Sequence, residues 1–117
     1  MTARQQNMVN VKRNLFEMLK KENAFWSYDT KDLHLESLSD DQLIALTLRH
    51  LDIPEIDALF SIFSFRKIKD AWRKLLVPEG EYLYTLNRFF AWYYFKAKRP
   101  DAYLKSLITR HTNQLFS

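Results

Sequence analysis

The chain has no cysteine and one glycine, Gly80. Without cysteine there are no disulfides and no thiolate metal sites, and the composition fits a reducing, cytoplasmic setting. One glycine and three prolines leave few of the tight turns that a β-sandwich or barrel needs. Gly-rich phosphate loops are excluded on the same ground, because they need several close backbone approaches. No apolar run nears the roughly 18 residues of a membrane span. Residues 1–10 are polar, so no basic-then-apolar leader is expected there. The three histidines, His34, His50 and His111, lie far apart, with no His-x-x-x-His or His-Glu pair. A zinc site or catalytic triad would have to be assembled wholly by the fold. The acid pairs Asp29/Asp32 and Asp40/Asp41 fall at turns and helix starts, where capping explains them. The expectation is therefore no metal, no cofactor, no membrane span and no enzymatic activity.

What is present is aromatic and helical. The 117 residues suffice for one domain that buries roughly two-thirds of its unfolded surface. Aromatics make up 15% of them, enough for a dense core, since each buries a large area with few rotatable bonds. Charge is unevenly placed. Residues 22–57 hold nine acids against two bases, and residues 66–110 hold 11 bases against four acids. Two solvated faces of opposite sign account for this, and an anionic partner is the sharper reading.

Residues 1–8 are expected to be a flexible tail. Val11, Leu15, Met18 and Leu19 then repeat at helical spacing. Phe25-Trp26-Ser27-Tyr28-Asp29 breaks that period as an aromatic hook, and Asp29-Thr30-Lys31-Asp32 reads as a turn. Ser39-Asp40-Asp41-Gln42 is a capping box for a helix with Leu43, Ile44, Leu46 and Leu48. Asp52-Ile53-Pro54-Glu55 is a second helix start, with an Asp cap and proline in the first turn. Ser64 can cap a third helix, whose inner face is Phe65, Ile68, Ala71 or Trp72, and Leu75. Val77-Pro78-Glu79-Gly80-Glu81 is an interhelix turn. A helix of about 15 residues follows and ends near Lys98, because Pro100 disfavours helical backbone at Arg99. Residues 101–115 form the last helix. The expected fold is thus all-α: one compact domain over 9–117, about six short helices around a central aromatic helix at 82–98.

Eight of the 18 aromatics lie within residues 82–95, which marks this helix as the organising element. Phe89, Phe90, Tyr93 and Ala97 project to one face, taken as core. The rim left over is Arg88, Trp92, Tyr94, Phe95, Lys96, Lys98 and Arg99. Aromatics with arginine are the composition of binding hot spots, so this rim is the candidate surface for a protein partner or a second copy. The alternative is helix-turn-helix DNA binding through residues 65–76. There Arg66, Lys67, Lys69, Arg73 and Lys74 would serve phosphates and base edges.

Three segments together resemble a small bacterial family of all-helical proteins of about this length and of unknown function. They are Phe25-Trp26-Ser27-Tyr28-Asp29; residues 52–60 with Lys67-Ile68-Lys69-Asp70-Ala71-Trp72; and Leu86-Asn87-Arg88-Phe89-Phe90. The resemblance covers residues 25–95. It implies an antitoxin or accessory role beside nucleotidyltransferase-type toxins. The chain departs from that family at Ser64, where a glycine is usual, and extends beyond Phe95.

Overall fold

The computed structural model describes residues 2–25 and 34–115. Among them there are six α-helices, two 3-10 segments and no strand, the all-α class that the sequence predicts. The hook at Trp26 and Tyr28 and the turn at 29–32 lie outside the described residues. Internal contacts gather the chain into two units, Met1–Ile68 and Lys69–Ser117. The boundary falls inside the fourth helix.

The first unit starts with α1 (Ala3–Lys21). Residues 3–8, polar enough to read as a tail, are helical, because a local device starts the helix early. The Thr2 hydroxyl accepts from the Gln5 amide at 3.2 Å, and the Gln5 side chain accepts from the Thr2 amide at 2.9 Å. This reciprocal pair satisfies two donors that a helix start otherwise leaves open. The helix ends in a Schellman motif. Asn23 takes a left-handed conformation (φ 57°), the Ala24 amide reaches the Leu19 carbonyl, and the Asn23 amide reaches that of Lys20. That turn carries Ala24 and Phe25 into the core, with Phe25 5.5 Å from Phe16. The buried face of α1 is Leu15, Phe16 and Leu19. Phe16, not Met18, completes it.

The Ser39 box forms as expected, at 2.8 and 3.1 Å, and starts α2 (Asp40–His50). Leu43, Ile44, Thr47 and Leu48 are buried. Thr47 takes the place expected of Leu46, and its hydroxyl is satisfied by the Leu43 carbonyl at 2.8 Å. In α3 (Ile53–Ile62) the Asp52 side chain makes no capping bond. Pro54 has no N–H to offer, and the Glu55 amide is already taken by the Asp52 carbonyl at 3.1 Å. Ile56 and Leu59 face inward, and α1 packs on both α2 and α3. Each fully buried leucine or isoleucine contributes about 1.5–3 kcal/mol by transfer from water.

Ser64 caps α4 (Phe65–Leu75), its hydroxyl accepting from the Lys67 amide at 3.1 Å. Ile68, Ala71, Trp72 and Leu76 are buried, whereas Phe65 and Leu75 are exposed. The expected inner face holds at its centre and fails at both ends.

In the second unit a 3-10 segment, Val77–Leu83, is kinked at Gly80 (φ 62°, ψ −127°), a backbone conformation essentially confined to glycine. The sole glycine of the chain sits where nothing else fits the turn. Next comes α5 (Tyr84–Tyr93), which packs on α6 (Pro100–Leu115) and on the 3-10 segment. Pro100 starts α6, as suits its fixed φ. It does not set the end of α5, which stops five residues short of Lys98. Lys96 turns left-handed (φ 56°), and the amides of Tyr94 and Phe95 fold back onto the Phe90 carbonyl and that of Ala97 onto Ala91. This wrapped end drives the Phe95 ring inward.

The buried face of α5 is Asn87, Phe90 and Ala91, with Leu83 just before it. It is turned away from the Phe89, Phe90, Tyr93, Ala97 face that the projection favours. The cause is Trp72, which is fully buried (0% exposed). Its indole Nε1 donates to Asn87 Oδ1 at 3.0 Å, and Asn87 Nδ2 donates to the Leu76 carbonyl at 3.0 Å. A buried indole N–H without an acceptor costs about 1–3 kcal/mol, so the asparagine must face the core. The Trp72 ring lies 4.6 Å from Phe95 and stacks on Tyr103 at 6.4 Å.

Candidate functional site

Turning Asn87 inward turns other aromatics out. Phe89, Trp92 and Tyr93 gather on the opposite side of α5. Phe89 stacks on Tyr93 at 5.2 Å with 12° between the planes, and Trp92 lies 6.3 Å from Phe89 and 6.0 Å from Tyr93. Trp92 is 57% exposed and Tyr93 38%. The half-buried Tyr94 meets Tyr93 edge-on at 4.8 Å. The result is one connected sheet of rings, open to solvent at Trp92 and Tyr93 and half-buried at Phe89.

Cations border it. Lys96 Nζ sits 5.5 Å from the Tyr93 ring centre, a placement that the ring's negative face favours. The left-handed turn at Lys96 therefore both ends the helix and carries the cation back over the aromatics. Lys98 and Arg99 follow in the connection to α6; both are exposed, and neither has an acidic partner among the described residues. Arg88 is exposed as well but is paired, its Nε 3.0 Å from Asp101 Oδ1. The Tyr84 hydroxyl donates to that same oxygen. The two donors hold the Asp101 carboxyl below the ordinary carboxylate range, first through Tyr84 and then through Arg88. The shared hydrogen bond, followed by desolvation, pushes the Tyr84 phenol up.

Of the rim expected from sequence, Trp92, Lys96, Lys98 and Arg99 are thus at the surface, Tyr94 is partly covered, and Arg88 is engaged with Asp101. Phe95 is a correction. At 9% exposed it is a core ring against Trp72 and offers nothing to a partner. Tyr93 is at the surface and Phe89 is half-buried, where the helical projection places both in the core. The missed signal is Asn87. A lone amide inside an aromatic helix needs a buried donor to face, and Trp72 is the one it finds.

The basic residues of α4 are more occupied than their number suggests. Lys67 pairs with Asp41 at 3.3 Å and Arg73 with Asp70 at 3.0 Å. Lys69 Nζ lies over the Phe95 and Tyr103 rings at 5.9 and 5.5 Å. Arg66 and Lys74 are exposed. No group of three or more His, Asp or Glu side chains is placed to hold a metal ion among the described residues. No helix among them is long and apolar enough to cross a membrane. Comparison of the chain with protein-family models, with curated proteins and with solved structures found no match.

Proposed function

We propose that the chain is a non-enzymatic protein-interaction module that binds through the outer face of α5. The observation that carries this reading is the Phe89–Trp92–Tyr93 ring sheet, with Trp92 and Tyr93 open to solvent and Lys96 over the Tyr93 ring. Single surface aromatics are ordinary, whereas a contiguous apolar patch rimmed by charge marks a site that is covered in use. Tyrosine, tryptophan and arginine are the residues on which interface energy concentrates. The fitting partner presents aliphatic side chains flanked by carboxylates, the former to lie on the rings and the latter to meet the cations. In the terms of the resemblance above, that partner is a nucleotidyltransferase-type toxin, and the chain acts as its antitoxin. A second copy of the chain is the competing occupant. Duplex DNA binding through α4 ranks lower, since three of its five cations are already engaged by acids or rings.

The test pairs light scattering of the chain alone with binding to the protein encoded beside it. A Trp92→Ala/Tyr93→Ala variant should weaken that complex at least tenfold, or convert a dimer of the chain to monomer, with an unchanged melting curve. An unaltered complex and an unaltered mass would refute the reading. Salt-sensitive binding of duplex DNA, lost in Lys69→Glu/Arg73→Glu, would replace it with the DNA reading.

A further inference from the structure

A second feature of the Lys69–Ser117 unit is separate from the aromatic face. The end of α4 and the later turns of α6 enclose a cleft of about 450 Å3. Arg73 and Lys74 enter it from α4, Arg110 and His111 enter it from α6, and Val77 and Leu107 form an apolar floor. No acid lines it. Helix ends favour cations, because the last carbonyls carry partial negative charge. That accounts for Arg73 and Lys74 in the last turn of α4. It does not account for their convergence with Arg110 and His111, which lie more than a turn before the end of α6. Like charges brought together from two helices repel unless an anion sits among them. Arg73 spends one N–H on Asp70 and keeps the rest of its guanidinium fork.

We infer that this cleft binds a small phosphate-rich anion, a nucleoside diphosphate or inorganic polyphosphate. Arginine forks match phosphate oxygens in pairs, and lysine adds a compact charge. The volume lies within the range of small-molecule sites, about 300–1,000 Å3. The floor at Val77 and Leu107 gives an apolar wall to a base or ring carried by the phosphates.

Calorimetric titration of the full chain with ADP and with inorganic pyrophosphate tests this at low and at moderate salt. Saturable one-site binding of either probe is expected, weaker at higher salt. Tighter binding of ADP assigns the floor to the base, and equal binding assigns the site to the phosphates alone. The Lys74→Glu/Arg110→Glu variant should lose at least tenfold in affinity. A charge-matched control on α1, Arg4→Glu/Arg13→Glu, both exposed, should lose less than threefold. The milder Arg110→Gln should lose at least threefold, which keeps the test open if the double variant melts early. The inference is overturned if neither probe saturates, or if the control loses as much as the cleft variant. It is also overturned if only oligonucleotides bind, since the cations would then track a nucleic-acid backbone.

Discussion

The Met1–Ile68 unit and the Lys69–Ser117 unit bury their cores by different chemistry. In the first, the core is largely aliphatic: Leu15, Leu19, Leu43, Ile44, Leu48, Ile56 and Leu59, with Phe16 and Phe25 at one end. Its one buried polar side chain among the described residues, Thr47, is satisfied by its own helix. In the second, the core is built around Trp72, Phe90 and Phe95, and its buried polar group, Asn87, joins α5 to α4. An aliphatic core asks only that the apolar stripe of each helix face inward. A core that holds an indole also asks for a partner for its N–H, and that demand fixes which way α5 is rotated. The exposed ring sheet follows from it. The aromatics of α5 outnumber the places on the face that Asn87 chooses, and the remainder lie outside.

The difference should show most in the two buried polar groups. Asn87→Leu removes the acceptor for the Trp72 indole and is expected to cost about 2 kcal/mol by denaturant melting. The Leu76 carbonyl is spared by a second donor, the Glu79 amide at 3.1 Å. Thr47→Val, nearly the same shape, should cost under about 1 kcal/mol, because the Leu43 carbonyl keeps its main-chain bond within α2. Equal losses at the two sites would mean that Asn87 is no more than a local satisfier.

Smaller effects separate the units by pH. Burial, then the neighbouring Arg49, push the His50 imidazole of the first unit below its ordinary 6.5. Stability tied to it is present above 6.5 and is lost as the pH falls through that value. In the second unit Asp101 is held below its ordinary 3.8, so its contribution is present above that pH and lost below it. Melts recorded from pH 8 to pH 3 should therefore show two shallow steps. His50→Gln should remove the upper step and Asp101→Asn the lower one. Both groups are open to solvent, so screening keeps the steps small.

Legibility in the sequence follows the same division. The Ser39 box, the Ser64 cap and the Gly80 kink are local: each is set by residues within a few positions, and each was readable. The buried stripe of α2 was readable except at Thr47, because a β-branched hydroxyl looks polar until its own helix satisfies it. The face of α5 was not readable from periodicity. Rings at 89, 90, 92, 93, 94 and 95 surround the helix and leave it no apolar phase to read. Its end was not readable either. Pro100 bounds the helix from outside, whereas the stop is a left-handed lysine, which carries no glycine to announce it. Phe95 was misplaced for that reason. The start of α1 was missed because a polar segment reads as a tail until Thr2 and Gln5 are seen as a box.

The division of the aromatics of α5 and its neighbours into a buried lock and an open face is tested most directly at the indole protons. Hydrogen exchange of the Trp72 and Trp92 Nε1–H groups is to be followed by NMR, in samples that light scattering shows to be monomeric. The expected result is a Trp72 proton protected by at least a hundredfold relative to Trp92, with that protection falling in Asn87→Leu and the Trp92 rate unchanged. Equal rates for the two indoles, or protection of Trp72 that survives Asn87→Leu, would contradict it.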